Sequence, residues 1–317
     1  MNTPETSQNL AQPSPIRPPA LVLPNNQEVG RRARCQIMGI VNVTDDSFSD
    51  GGQYNSVDRA VEHAHRLIHQ GADIIDVGGE STRPGATRPG ATRVDPEQER
   101  QRITPVIREL AAAGIVTSID TMRAVTAEAA VEAGVSMIND VSGGMADPHM
   151  YRVMAESGLP VCLMHWQTLQ FGDASGEHDG DVVADVHSSL DQLVDNALGA
   201  GVAEHNIALD PGLGFAKSAE DNWALLHSLR SFTDGRFPIL VGASRKRFLV
   251  AIRGARGLES GPQLADPATA AVTALSAQAG AWAVRVHEVA VSRDSVDVAY
   301  AWQIGGQKNL DTQNCQK

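Results

Sequence analysis

Residues Gly114–Gly144 read GIVTSIDTMRAVTAEAAVEAGVSMINDVSGG. A β-branched run, Val116–Ile119, gives way to the polar DTMR and then to an alanine-rich segment, Ala124–Ala133, whose length and composition are those of a helix. A second short apolar run, Ser136–Ile138, follows and ends on the polar and glycine-rich NDVSGG. Strand, helix, strand, with polar residues directly after each strand, is the repeating unit of a parallel sheet.

Outward from this stretch the same alternation continues in both directions. The short runs are Gln36–Val43, Asp73–Val77, Val116–Ile119, Ser136–Ile138, Val161–Met164, Ile207–Leu209, Ile239–Val241 and Ala283–Val286. Helices are expected after them at roughly 56–70, 96–113, 124–133, 148–157, 181–200, 219–229, 268–280 and 290–302. Eight strand–helix repeats without a strong break predict an α/β fold, a single (β/α)8 TIM barrel with long loops at the C-terminal face. A doubly wound open sheet satisfies the same alternation, because periodicity does not show closure. The barrel is expected over residues 34–303, between a disordered N-terminal tail, 1–33, and a flexible C-terminal tail, 304–317. Both tails are polar, and the first is rich in Pro, Asn, Gln and Ser.

Composition narrows the function. The formal net charge of −12 argues against a nucleic-acid or anionic-membrane surface, both of which need a broad basic field. Cys35, Cys162 and Cys315 are an odd, widely spaced set without metal or redox spacing, and no apolar run has the length of a signal peptide or membrane span, so a reduced, cytoplasmic setting is expected.

In a (β/α)8 barrel the segments after all eight strands meet on one rim. Asp120, Asn139 and Asp210 end three strands, and Lys246 follows a fourth. Carboxylates, an amide and an ammonium so placed offer the acceptors and donors that an amino-substituted flat heterocycle requires. Taken singly, Asp120 is equally a helix N-cap, and Asp210 before Pro211 the start of a turn. Arg83, Arg88, Arg285 and His287, with Ser244, make a second set suited to a phosphate anion; their ordinary explanation is surface charge and a partly buried histidine. Asn42 opens the loop NVTDDSFSDGG and offers oxygen to a hard cation such as Mg2+. GLGF at Gly212–Phe215 is too weak for a nucleotide fingerprint.

In order along the chain, NVTDDSFSDGG, DVGGESTRPGAT, SIDTMRA, MINDVSGG, LMHW, LDPGLGFAK, VGASRKRF and VRVHE resemble the dihydropteroate synthases, from about Gln36 to Trp302. The resemblance implies a (β/α)8 barrel, usually a homodimer, that condenses a dihydropterin diphosphate with 4-aminobenzoate and releases diphosphate. It implies that Asp120, Asn139, Met164, Asp210, Phe215 and Lys246 bind the pterin. It assigns Asn42, Arg83 or Arg88, Arg285 and His287 to diphosphate, with Mg2+ near Asn42, and Phe48, Thr82, Pro84 and Ser244 to 4-aminobenzoate. Asp120, Lys246, Arg285 and His287 are the implied catalytic set. A pterin- or folate-dependent methyltransferase and a non-catalytic pterin-binding paralogue are the alternatives, distinguished by methyl transfer or by binding without diphosphate release.

The chain departs from the family in one loop: RPGAT occurs twice, at Arg83–Thr87 and Arg88–Thr92. A sulfonamide extends past the outline of 4-aminobenzoate, so an enlarged loop beside that site can exclude the drug and admit the substrate. Alternatively, the loop absorbs the insertion at little cost and leaves both affinities unchanged.

Overall fold

The computed structural model describes residues 22–23, 34–43, 52–80, 94–166 and 180–314. Eight strands occupy β1 Gln36–Asn42, β2 Ile74–Gly78, β3 Thr117–Asp120, β4 Met137–Asp140, β5 Val161–Met164, β6 Ile207–Asp210, β7 Leu240–Val241 and β8 Ala283–Val286. All pairings between neighbours are parallel, in the order β6-β5-β4-β3-β2-β1-β8-β7. The free edges meet through a parallel bridge between Leu209 and Ile239, where Leu209 N–H donates to the Pro238 carbonyl at 2.9 Å. The eight strands therefore form a nearly closed barrel, which decides against the open sheet.

Helices α1 Gly52–His69, α2 Pro96–Ala112, α3 Ala124–Ala133, α4 Met150–Ser157, α5 Val182–Gly199, α6 Ala219–His227, α7 Leu229–Thr233, α8 Arg247–Gly254, α9 Asp266–Gln278 and α10 Val289–Asn314 cover the strands. Their starts follow local chemistry. Asp95 accepts from the N–H groups of Glu97 and Gln98 ahead of Pro96, and Asp181 caps α5 in the same way. Ser218 and Asp221 form a reciprocal capping box at α6. Three differences from expectation stand out. The segment expected as one helix over 219–229 is two, α6 and α7, sharing Ser228 as a cap. An additional helix, α8, follows the basic GASRK turn. The last helix continues past Trp302 to Asn314.

The core is layered. Between strands and helices lies the larger apolar layer, including Ile37, Ile75, Ile103, Ile107, Leu110, Ile119 and Ile138. Inside the barrel, Met38, Ile74, Met137, Cys162, Ala208, Leu240 and Ala283 fill the interior with Trp282 and Leu23. Leu23 belongs to the segment read as a tail, yet is buried against the barrel, whereas Val22 beside it is exposed. An apolar side chain there covers the end of the interior layer that would otherwise face water.

Register then sets the site. Asn42 lies beside Gly78, Gly78 beside Asp120 and Asp120 beside Asn139, a continuous row across four strand ends. Met164 and Asp210 pair in the same way on β5 and β6.

Candidate active site

A cavity of about 800 Å³ opens at this rim. Asn42, Asp120, Asn139, Met164, Asp210, Phe215, Ser244, Lys246, Arg285 and His287 all line it, so ten of the residues singled out from sequence share one space. Phe48, Thr82, Arg83, Pro84 and Arg88 lie outside the described residues.

At the centre is a buried ionic triad. Arg285 on β8 donates through Nε to Asp76 Oδ2 at 2.6 Å and through Nη2 to Asp120 Oδ2 at 2.6 Å. Asn139 Nδ2 approaches both Asp76 oxygens, at 3.3 and 3.4 Å. Burial opposes the charge of Arg285, but the two carboxylates outweigh it and raise its pKa further. For Asp120 the balance reverses: burial pushes the carboxyl up to about 7 although Arg285 opposes it, and Asp76 adds to the rise. Asp120 Oδ1 is buried without a hydrogen-bond partner. A buried, unpaired acceptor on a residue that lines a cavity is the arrangement expected where a ligand donates.

Asp76 was not among the expected site residues. It sits inside the apolar strand sequence IIDVG at 0% exposure, and a carboxylate in such a run is itself a signal that a charged partner lies within the barrel.

The far wall is formed by the segment after β6. Asp210 Oδ1 accepts from Gly212 N–H at 2.7 Å, and burial raises the Asp210 pKa against the pull of that bond, Lys246, Lys217 and Arg285. Gly212 has φ +71°, and a Cβ there would fall 2.1 Å from the His165 carbonyl oxygen, so both conformation and space require glycine. Lys246 Nζ stands 3.9 Å from the Phe215 ring centroid, a cation–π contact that fixes ring and ammonium together. Lys217, also missed by sequence reasoning, is buried and lines the same cavity.

Ser244 and His287 are joined twice: the Ser244 hydroxyl and His287 Nδ1 are 3.0 Å apart, and His287 N–H donates to Ser244 Oγ at 3.1 Å. The neighbouring Arg245, at φ +57°, also lines the cavity and is held by paired 2.7 Å bonds to Asp266.

A third cluster joins residues that flank positions 81–93 of the chain. Arg123 pairs with Glu80 at 3.0 Å and with Glu99, while Glu99 also accepts from Thr121 at 2.8 Å and Thr126 at 3.2 Å. Glu80 Oε1 accepts from Val94 N–H at 2.9 Å, so the residues on either side of 81–93 are tied together.

Among the described residues no group of three His, Cys, Asp or Glu side chains could hold a metal ion. Nor is any helix long and apolar enough to cross a membrane.

Comparison with known proteins agrees with this geometry. Residues 38–287 match the model of the pterin binding enzyme family. Dihydropteroate synthase of Mycobacterium leprae is 48% identical over 279 residues, covering 86% of this chain and 95% of the relative. The Bacillus subtilis enzyme is 43% identical over 254 residues, covering 80% and 83%. The solved dihydropteroate synthase of Xanthomonas albilineans with 4-aminobenzoic acid superposes with a TM-score of 0.77 at 41% identity, covering 89% of this chain and 98% of that one. The same enzyme with 7,8-dihydropteroate gives 0.74 at 38%, covering 88% and 99%. These likenesses do not favour the methyltransferase or the non-catalytic paralogue. The chain belongs to the pterin-binding enzymes and, among them, to the dihydropteroate synthases.

Proposed function

We propose that the chain condenses (7,8-dihydropterin-6-yl)methyl diphosphate with 4-aminobenzoate, giving 7,8-dihydropteroate and diphosphate in folate biosynthesis. The observation that carries this reading is that Asp120, with one unpartnered carboxylate oxygen, lines a cavity together with Asn139, Asp210 and Lys246. These groups bind the donor and acceptor edge of the pterin, with Met164 and Phe215 against its face. In the reaction the bond between the pterin methylene and diphosphate breaks, and the electron pair leaves with diphosphate. The arylamine nitrogen then forms the new C–N bond and gives up a proton. Ionised Asp120 stabilises positive charge growing on the pterin more than it stabilises the neutral ground state. Asp120, Lys246, Arg285 and His287 are the proposed catalytic set.

Two nitrogens of Arg285 are committed to Asp76 and Asp120, so its charge serves the pterin side of the site as well as any anion. Asn42, His287 and Arg83 or Arg88 complete the diphosphate site in this proposal; Phe48, Thr82, Pro84 and Ser244 bound the 4-aminobenzoate. Asn42 Oδ1 and Asp120 Oδ2 lie 3.8 and 3.7 Å from the point where a Gly78 Cβ would stand, so the missing side chain keeps a space between them open. That donor set fits Mg2+ only as an ion arriving with diphosphate, since Mg2+ keeps waters and phosphate oxygens rather than entering an all-protein cage. When bound there with Asn42, it would neutralise leaving-group charge.

The exposed Leu275, Val298 and Trp302 on the last two helices support a homodimer, in which a second subunit would cover them. A cytoplasmic location is proposed on the unpaired cysteine pattern. Sulfonamide resistance is proposed on the tandem RPGAT at residues 83–92, whose flanking residues Glu80 and Val94 are joined by a hydrogen bond.

The test is pteroate formation by purified protein with Mg2+ and both substrates, titrated with sulfamethoxazole, before and after deletion of Arg88–Thr92. Drug-resistant turnover that becomes sensitive on deletion supports enzyme and loop. Equal inhibition of both forms removes the resistance reading, and no turnover in either removes the synthase.

A further inference from the structure

Lys217 is 5% exposed, and its ammonium has three acceptors at hydrogen-bond distance: His165 Nδ1 at 2.8 Å, the Gly212 carbonyl at 3.0 Å and the Phe215 carbonyl at 3.1 Å. An ammonium has three donors and no acceptor, so all are satisfied within the protein and none is needed by a ligand. The segment it stitches turns left-handed at Gly212, Gly214 and Ala216, with φ of +71°, +75° and +48°, a conformation free of steric cost for the glycines but not for Ala216. The Phe215 ring within this segment is the platform under Lys246.

We propose that Lys217 is a positioning residue of the pterin pocket, whose ammonium holds the turn after β6 so that Phe215 and Lys246 keep their places. The inference rests on the pterin reading above. While Lys217 is charged, His165 Nδ1 can only accept, which places the ring proton on Nε2. Burial lowers the Lys217 pKa to about 7, against the attraction of Asp210 and with a further contribution from Lys246. The ammonium therefore depends on its three acceptors.

The test compares the unaltered chain, Lys217→Met and a core control, Ile107→Val, by calorimetric binding of the dihydropterin diphosphate, steady-state kinetics and melting temperature. For K217M the dihydropterin Kd and KM are expected to rise about tenfold or more while kcat changes less than about threefold, the pattern of lost ground-state binding. The Ile107 control, on α2 and buried in the outer layer, is expected to melt lower with Kd unchanged. A K217M Kd equal to that of the unaltered chain overturns the role of Lys217 alone. A matching rise in I107V reduces the effect to general stability and also overturns it, and no pterin binding by the unaltered chain overturns this inference together with the pterin reading. Should K217M not fold, 15N NMR of the unaltered chain at about pH 6 decides. A slowly exchanging Lys217 ammonium and His165 protonated on Nε2 are expected; a rapidly exchanging ammonium contradicts the proposal.

Discussion

Asp76 and Asp120 share one arginine but are built for different purposes, and substitution should separate them. Asp76 is fully buried and accepts from Arg285 Nε at 2.6 Å and from the Asn139 amide at 3.3 and 3.4 Å. Replacing it by alanine removes a charge-assisted hydrogen bond, about 1.5–3 kcal/mol, and leaves a buried amide short of an acceptor, about 1–3 kcal/mol. Together these agree with the roughly 3–5 kcal/mol lost when one member of a buried ion pair is deleted. Asp120 also accepts from Arg285 at 2.6 Å, but its other oxygen has no partner and its burial already disfavours the charged form. Its loss should therefore cost only about 0–2 kcal/mol.

Activity should follow the opposite order, because Asp120 faces the cavity and Asp76 stands behind it. The assay is urea unfolding followed by circular dichroism at neutral pH for D76A, D120A and the double variant, alongside turnover. The double variant leaves Arg285 without either carboxylate and should lose more than the two single losses combined. If D120A loses more stability than D76A, or if D76A loses less than about 1 kcal/mol, Asp76 is not what holds Arg285 and the division of roles fails.

Three further outcomes follow from the geometry. The raised Asp120 pKa means that folding favours the protonated carboxyl, so its contribution is fully present below the ordinary 3.8 and is lost as pH rises through about 7. Relative to D120N, the unaltered chain should lose roughly 2–4 kcal/mol of unfolding free energy between about pH 4 and 8; a pH-independent difference counts against this. Gly212→Ala should cost more than about 3 kcal/mol, since the left-handed backbone alone costs about 1–2 and the new Cβ meets the His165 carbonyl oxygen. A melting temperature within about 2 °C of the unaltered chain would mean that the turn yields. Arg123→Ala strands the buried Glu80 and Glu99 carboxylates and should cost about 3–5 kcal/mol, partly recovered by adding Glu99→Gln; equal melting of single and double variants would point to packing instead.

The strands were legible because each is a short β-branched run ending on polar residues, and their observed ends fall close to the expected ones. Closure was not legible. It depends on the bridge between Leu209 and Ile239, and no local pattern reports which edges meet. Helix α8 was hidden because its eight residues, RFLVAIRG, follow directly on the basic GASRK turn and bury only Phe248 and Leu249. The ten expected residues that line the cavity were legible as a set because, Asn139 within β4 and Arg285 within β8 apart, each ends or follows a strand. Asp76 was not, since its arginine lies 209 residues away. Lys217 was quoted within a motif without a role. Its partners are a histidine 52 positions away and two carbonyls that face it only because Gly212, Gly214 and Ala216 turn left-handed.

The charges of the pocket are balanced in a way that bears on the reaction. Asp76, Asp120 and Asp210 face Arg285, Lys217 and Lys246, so full ionisation gives no net charge within a buried space. Two of the six, Asp120 and Lys217, have pKa values of about 7, one raised and one lowered by burial. Protonating Asp120 while deprotonating Lys217 leaves the sum unchanged, so the pocket can relieve desolvation near neutrality without acquiring charge. A growing pterin cation breaks that balance in one direction only. In the proposed reaction it would favour ionised Asp120, which lines the cavity and has one unpartnered oxygen, while Asp76 would keep Arg285 from fully neutralising that carboxylate. The second carboxylate, whose arginine lies 209 residues away in sequence, is in this proposal what leaves the first available to the ligand.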